Sequence, residues 1–120
     1  MHIGELADKT GLSLRTIRHY DEIGLLKPAG RTEGGFRLYT ADDYSRLMLI
    51  RRMKPLGFPL EEMTALLQVI DTLQASDPTA DTSATRAQLN EFVEKAIERR
   101  ATLQTQLDMA DEFLELLRAQ

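Results

Sequence analysis

Arg15, Thr16, Arg18 and His19, in the stretch GLSLRTIRHYDEIGLL, are side chains that can hydrogen-bond to a polyanion. If the segment coils as a helix, Leu14, Ile17 and Tyr20 make an inward apolar stripe and leave those four on the free face. An arginine presented in this way can grip guanine O6 and N7 in the major groove, worth about 1–3 kcal/mol of base discrimination. For Arg15 or Arg18 taken alone, a solvated or phosphate-touching arginine is the alternative. Ser13 opens the same helix, whose first backbone N–H groups favour a phosphate. Tyr20 faces the core by its spacing, with its hydroxyl a candidate for the nucleic-acid backbone. Farther along, Arg51, Arg52 and Lys54 form a basic cluster. Lys54 precedes the Pro55-Leu56-Gly57 turn and suits a phosphate, whereas Arg51 could equally pair with Asp21 or Glu22 as a structural bridge.

A chain of net charge −4 is an odd owner for such a face, but the total conceals an asymmetry. Residues 1–60 hold ten Lys/Arg against seven Asp/Glu, and residues 61–120 hold five against twelve. The basic half can meet a polyanion while the acidic half stays solvated. With no cysteine, disulfides, thiolate metal sites and thiol redox switching are excluded. His2 and His19 stand apart without a co-ligating carboxylate, so no metal or other cofactor is expected. No Gly-rich phosphate cradle or His/carboxylate cluster marks an enzyme. There is no apolar run approaching 18 residues and no signal-peptide h-region, which gives the expectation of a cytoplasmic protein without membrane contact.

The elements that must hold this face follow from periodicity and caps, in a chain whose 120 residues suit one small domain with an extension. Ile3, Leu6, Ala7 and Thr10 have helical spacing, and Gly11 suits a left-handed cap. Ser13 is an N-cap for the second helix, which Gly24 closes. Two short helices around a tight Gly-containing turn make a helix-turn-helix candidate. Pro28, Gly30 and Gly34-Gly35 then mark turns around a small β-hairpin, a wing over about residues 26–39. Its FRLY run alternates, which predicts Phe36 and Leu38 inward and Arg37 and Tyr39 outward. Thr40 and Asp43 approximate a capping box for a third helix reaching about Leu56. Pro59 opens a fourth, with Leu60, Met63, Leu67 and Ile70 as its stripe. Residues 74–84 read as a polar linker, and Thr85 with Gln88 as the capping box of a last helix over 85–119.

That last helix carries the strongest periodic signal. Leu89, Val93, Ala96, Arg100, Leu103, Leu107, Ala110, Leu114 and Leu117 alternate spacings of four and three, a heptad seam with one polar member. At about 1.5 Å per residue the helix would run roughly 50 Å, more apolar surface than the rest of so short a chain can cover. A homodimer joined along this seam is expected. Phe92, Phe113 and Leu116 lie off the seam as candidates for docking on the N-terminal lobe.

Thr16-Ile17-Arg18, Tyr20, the Gly-Phe-Arg-x-Tyr wing and the LGF triplet before the fourth helix occur in one order. Over roughly residues 1–73 this order resembles the DNA-binding module of the MerR family of bacterial transcriptional regulators, and the heptad helix resembles that family's dimerisation helix. The resemblance implies a mainly α, winged helix-turn-helix protein whose two copies join by an antiparallel coiled coil on palindromic double-stranded promoter DNA. It implies distortion of that promoter, with RNA polymerase as a further partner, and makes Arg37 and Tyr39 phosphate or minor-groove candidates. The sequence departs from the pattern where relatives often carry tyrosine, at His19 and at Phe36, which has no hydroxyl to offer a phosphate. Relatives also carry an effector-binding region after the dimerisation helix or cysteines near its end; neither is found here, so the effector is left undefined. A constitutive or architectural DNA binder without effector and a coiled-coil interaction adaptor stand as the alternatives.

Overall fold

The computed structural model describes residues 1–27 and 30–120. In chain order these form α1 (Ile3–Thr10), α2 (Leu14–Glu22), β1 (Gly30–Arg31), β2 (Arg37–Leu38), α3 (Ala41–Met53), α4 (Leu60–Ala75) and α5 (Ser83–Arg118). They divide into two compact units, Met1–Leu67 and Gln68–Gln120, so the division falls within α4 and ahead of the polar stretch 74–84.

In the first unit, α1 ends where the sequence places its cap. Gly11 takes a left-handed φ of 72° and its N–H bonds to the Ala7 carbonyl. Leu6, Ile17, Leu25, Leu47, Ile50 and Leu67 are fully buried; each such side chain contributes about 1.5–3 kcal/mol relative to exposure. The expected α2 stripe holds at Ile17 and Tyr20 but not at Leu14, which is 41% exposed: as the first helical residue it starts the stripe before the core does.

The wing is a two-stranded antiparallel ladder, with Gly30 opposite Leu38 and Arg31 opposite Arg37. The Thr32 N–H closes the loop onto the Phe36 carbonyl at 2.7 Å. The turn expected at Pro28 lies outside the described residues. Thr40 and Asp43 form a complete reciprocal capping box at the start of α3. The helix stops at Met53, short of the expected Leu56, because Leu56 and Gly57 bond back to the Met53 and Lys54 carbonyls in a tight turn. On α4 the buried residues are Met63, Leu66, Leu67 and Val69; Leu60 is exposed at the helix start, and Ile70 is half-buried.

In the second unit, α5 begins at Ser83, ahead of the expected Thr85 box. Asp81 supplies the acceptor there, taking the Ser83 N–H at 2.9 Å and its hydroxyl at 2.6 Å. Thr85 and Gln88 consequently lie inside the helix. At about 1.5 Å per residue, its 36 residues span roughly 54 Å. No residue of α5 is buried; Leu89 and Ala96 are half-buried, while Val93, Arg100, Leu103, Leu107, Ala110, Leu114 and Leu117 are exposed. Phe113 and Leu116, expected to dock, are exposed as well, whereas Phe92 is half-buried with the Lys95 ammonium 5.6 Å from its ring centre. Among the described residues no helix is long and apolar enough to cross a membrane.

Candidate nucleic-acid interface

The free face of α2 is built from its caps outward. Ser13 Oγ accepts the Thr16 N–H at 3.1 Å, and the Ser13 hydroxyl donates to Thr16 Oγ1 at 2.8 Å. That pair satisfies the first turn, which is worth about 1 kcal/mol at an N-cap. At the far end the Leu25 N–H reaches the Tyr20 carbonyl at 3.0 Å, with Gly24 at a φ of 85° allowing the reversal. Between the caps Arg15, Arg18 and His19 are exposed, Thr16 is half-buried, and Ile17 and Tyr20 are buried. Burying Ile17 and Tyr20 therefore fixes the rotation of α2 and aims the two arginines at solvent.

Lys54 joins this face from the end of α3. Its ammonium lies 5.5 Å from the centre of the Tyr20 ring, and the His19 ring centre is 5.8 Å from that of Tyr20. Arg15, Arg18, His19 and Lys54, with Glu22, surround an open concavity of about 550 Å³. Tyr20 also lines it; its ring is buried, as its core-facing spacing predicts, with the Lys54 ammonium against it. Arg51 pairs with neither Asp21 nor Glu22. Its Nη1 donates to the Thr10 carbonyl at 2.7 Å, putting a cation on the last turn of α1, where the helix dipole favours it.

The wing departs most from the sequence expectation. Tyr39 is 4% exposed and Phe36 is 69% exposed, the reverse of the predicted facing. The cause is pairing distant in sequence: the Tyr39 N–H donates to the Met1 carbonyl at 2.7 Å, and the Met1 ammonium donates to the Tyr39 carbonyl at 2.7 Å. With its backbone so held, Tyr39 turns inward and its hydroxyl donates to Asp21 Oδ2 at 3.1 Å. Burial, followed by the nearby Asp21 charge and this hydrogen bond, pushes the Tyr39 phenol up to about 12. In this arrangement the Tyr39 hydroxyl proton is given to Asp21, and the outward facing expected of Tyr39 is corrected to an inward one. Arg37 is outward as expected, but its Nη1 donates to Asp21 Oδ1 at 2.9 Å.

Two charged residues escaped the sequence reading as anchors. Asp43 is fully buried, taking the Lys27 N–H on Oδ1 at 2.8 Å and the Thr40 N–H on Oδ2 at 2.9 Å. Arg46, 6% exposed, donates from Nε to the Leu25 carbonyl at 2.7 Å. Together they tie the segment after α2 onto α3. Their signal was present: Asp43, Arg46, Leu47, Ile50 and Met53 share one helical stripe, and a charge on an apolar stripe marks a buried anchor. Among the described residues no group of three or more His, Cys, Asp or Glu is placed to hold a metal ion.

This geometry has counterparts among known proteins. Residues 1–70 match the model of the MerR HTH family regulatory proteins, and residues 44–110 match that of the MerR DNA-binding region. An HTH-type transcriptional regulator of Pseudomonas aeruginosa is 41% identical over 107 residues, covering 89% of this chain and 80% of the relative. The mercuric resistance operon regulatory protein of Bacillus cereus is 48% identical over 73 residues, 61% of this chain and 55% of its own length. Among solved structures, HiNmlR, a MerR family regulator lacking the sensor domain and bound to promoter DNA, aligns with a TM-score of 0.72 and 29% identity. That alignment covers 98% of this chain and 89% of the other.

Proposed function

The chain belongs to the MerR family of helix-turn-helix transcriptional regulators, and on that premise we propose that it binds palindromic promoter DNA as a homodimer and distorts it. The observation that carries this reading is the uncovered basic face of α2. Arg15, Arg18 and His19 are exposed while Ile17 and Tyr20 are buried, so α2 presents donors that can meet base edges. Arg15 and Arg18 take the base-edge role, with Thr16 and His19 beside them. The helix start at Ser13, Lys54 and Arg37 meet phosphates on either side, a flanking arrangement that fixes register.

Dimerisation is supported by α5. Its seam from Leu89 to Leu117 is largely exposed in the single chain, and so long an uncovered apolar stripe marks an association surface. HiNmlR, a regulator of the same family, was solved bound to promoter DNA, which favours promoter DNA as the partner of this chain as well. A rigid helix of this length would set the separation of the two copies of α2. Where that separation differs from one turn of straight DNA, the DNA between them would bend or untwist to meet both, and RNA polymerase would read the altered promoter. The reading places the protein in the cytoplasm and assigns it no catalysis, no cofactor and no defined effector.

The test is a mobility-shift titration on a promoter fragment recovered from the source genome by the purified protein, repeated across salt concentrations. A DNA reader shows a log affinity falling linearly with log salt, because each neutralised phosphate releases counterions. An interaction adaptor built on α5 alone shows no shift at any salt.

A further inference from the structure

Asp21 is an acid on the helix that meets a polyanion, three residues from Arg18. Taken as a charge alone, it opposes DNA binding. Its surroundings give it another part. The carboxylate is only 9% exposed and both its oxygens are engaged, Oδ1 by Arg37 Nη1 at 2.9 Å and Oδ2 by the Tyr39 hydroxyl at 3.1 Å. Both partners come from the wing, so one side chain of α2 holds β2 and the residue after its ladder. The wing's own ladder is two residue pairs long; its loop is closed by Thr32 and Arg31 and its end is held by the Met1–Tyr39 backbone pairing, so Asp21 is the side chain that ties it to α2.

We propose that Asp21 is a positioning residue that locks the wing to α2 and fixes the Arg37 guanidinium for a phosphate. A guanidinium carries five N–H donors in a rigid fork, so one bond to Asp21 leaves the others available. Arg37 remains 43% exposed, on a concavity of about 380 Å³ shared with Arg18 and Phe36. A guanidinium clamped in this way keeps a set distance from Arg18. Base-edge contacts by α2 and the phosphate contact by the wing then form in one register. Freed from Asp21, Arg37 would still attract phosphates anywhere, but would no longer select that register. The inference rests on the DNA-binding reading given above and deepens it.

The sign of one substitution separates the two roles of Asp21. Asp21→Ala removes a negative charge from a DNA-facing surface, so a purely electrostatic role predicts tighter binding to every duplex. Positioning predicts at least tenfold weaker binding to the recovered genomic fragment, with binding to a scrambled duplex of equal length unchanged or strengthened. In an Arg37→Ala background, Asp21→Ala should cause little further loss. Thermal unfolding of each variant controls for folding, and Asp21→Asn, which keeps the shape and one acceptor, should fall between wild type and alanine. Equal or tighter binding of Asp21→Ala to the genomic fragment overturns the proposal, as does an equal loss in both Arg37 backgrounds. If the wild-type chain itself fails to prefer the genomic fragment, the DNA-binding reading fails and this inference falls with it.

Discussion

Arg18 and Arg37 differ in what surrounds them, and that difference predicts different losses. Arg18 extends from the middle of α2 beside Arg15 and His19, whereas Arg37 stands on the wing with Nη1 held by Asp21. Arg18→Ala should weaken binding to the recovered promoter by about 1–3 kcal/mol and leave scrambled DNA almost unaffected, as for a base-edge contact. Arg37→Ala should weaken both to a similar degree, as for a phosphate contact. Anisotropy titrations on the two duplexes check this, and equal losses for Arg18→Ala would remove it from readout. Tyr39 gives a prediction in pH. Its folded pKa stands at about 12 against an ordinary 10.0, so the native state holds the phenolic proton more tightly than the unfolded chain. The stabilisation is fully present below pH 10 and is lost as pH rises through about 12. Chemical denaturation at pH 8 and pH 11 should show a loss for wild type that Tyr39→Phe largely lacks. At this scale the sequence was legible wherever a residue's neighbours in the chain decide its place, as for Ser13 capping α2 or Arg15 and Arg18 standing off the Ile17–Tyr20 stripe. Tyr39 was not legible. Alternation along FRLY defines two faces, but the backbone pairing with Met1, 38 residues away, decides which one is buried.

The helices of the first unit were readable because their ends carry local chemistry: Gly11 for α1, Ser13 and Gly24 for α2, and the Thr40–Asp43 box for α3. The end of α3 had a local signal as well: Pro55 has no N–H to continue the helix, and Leu56 and Gly57 turn back onto the Met53 and Lys54 carbonyls. The start of α5 was misread. Thr85 and Gln88 have the composition of a box, but the Asp81 carboxylate captures Ser83 first. Hydrogen bonds to Ser83 and Thr79 hold Asp81 and Asp77 below the usual carboxylate range, so this capping is present above that range and lost as pH falls into strong acid. The seam on α5 supports a sharper test. Leu103 is exposed in the single chain but central to the heptad pattern, so Leu103→Asp should leave the monomer folded. In a dimer it would bury an unpaired charge, at a cost of several kcal/mol. Sedimentation should give a dimer for wild type at micromolar concentration and a monomer for the variant. The variant should also lose promoter affinity, because two half-sites are no longer joined. A monomeric wild-type chain would defeat the dimer reading.

For the whole molecule, the charge asymmetry between residues 1–60 and 61–120 fits a division of labour between a DNA-meeting half and an acidic, solvated half that carries the association helix. If α5 holds two α2 helices at a spacing other than one turn of straight DNA, binding would deform the promoter. Bending a site by 40–90° costs about 1–6 kcal/mol, offset by the phosphate contacts that the wing and Lys54 then reach. The most direct measurement is the end-to-end distance of the recovered promoter duplex, labelled at both ends for energy transfer and titrated to saturation with wild-type protein and with Leu103→Asp. The distance should shorten on saturation at two chains per duplex, with no comparable change for the variant at the same concentration. A duplex that stays straight at full occupancy, or that saturates with a single chain, would contradict a dimeric regulator that works by distorting its DNA.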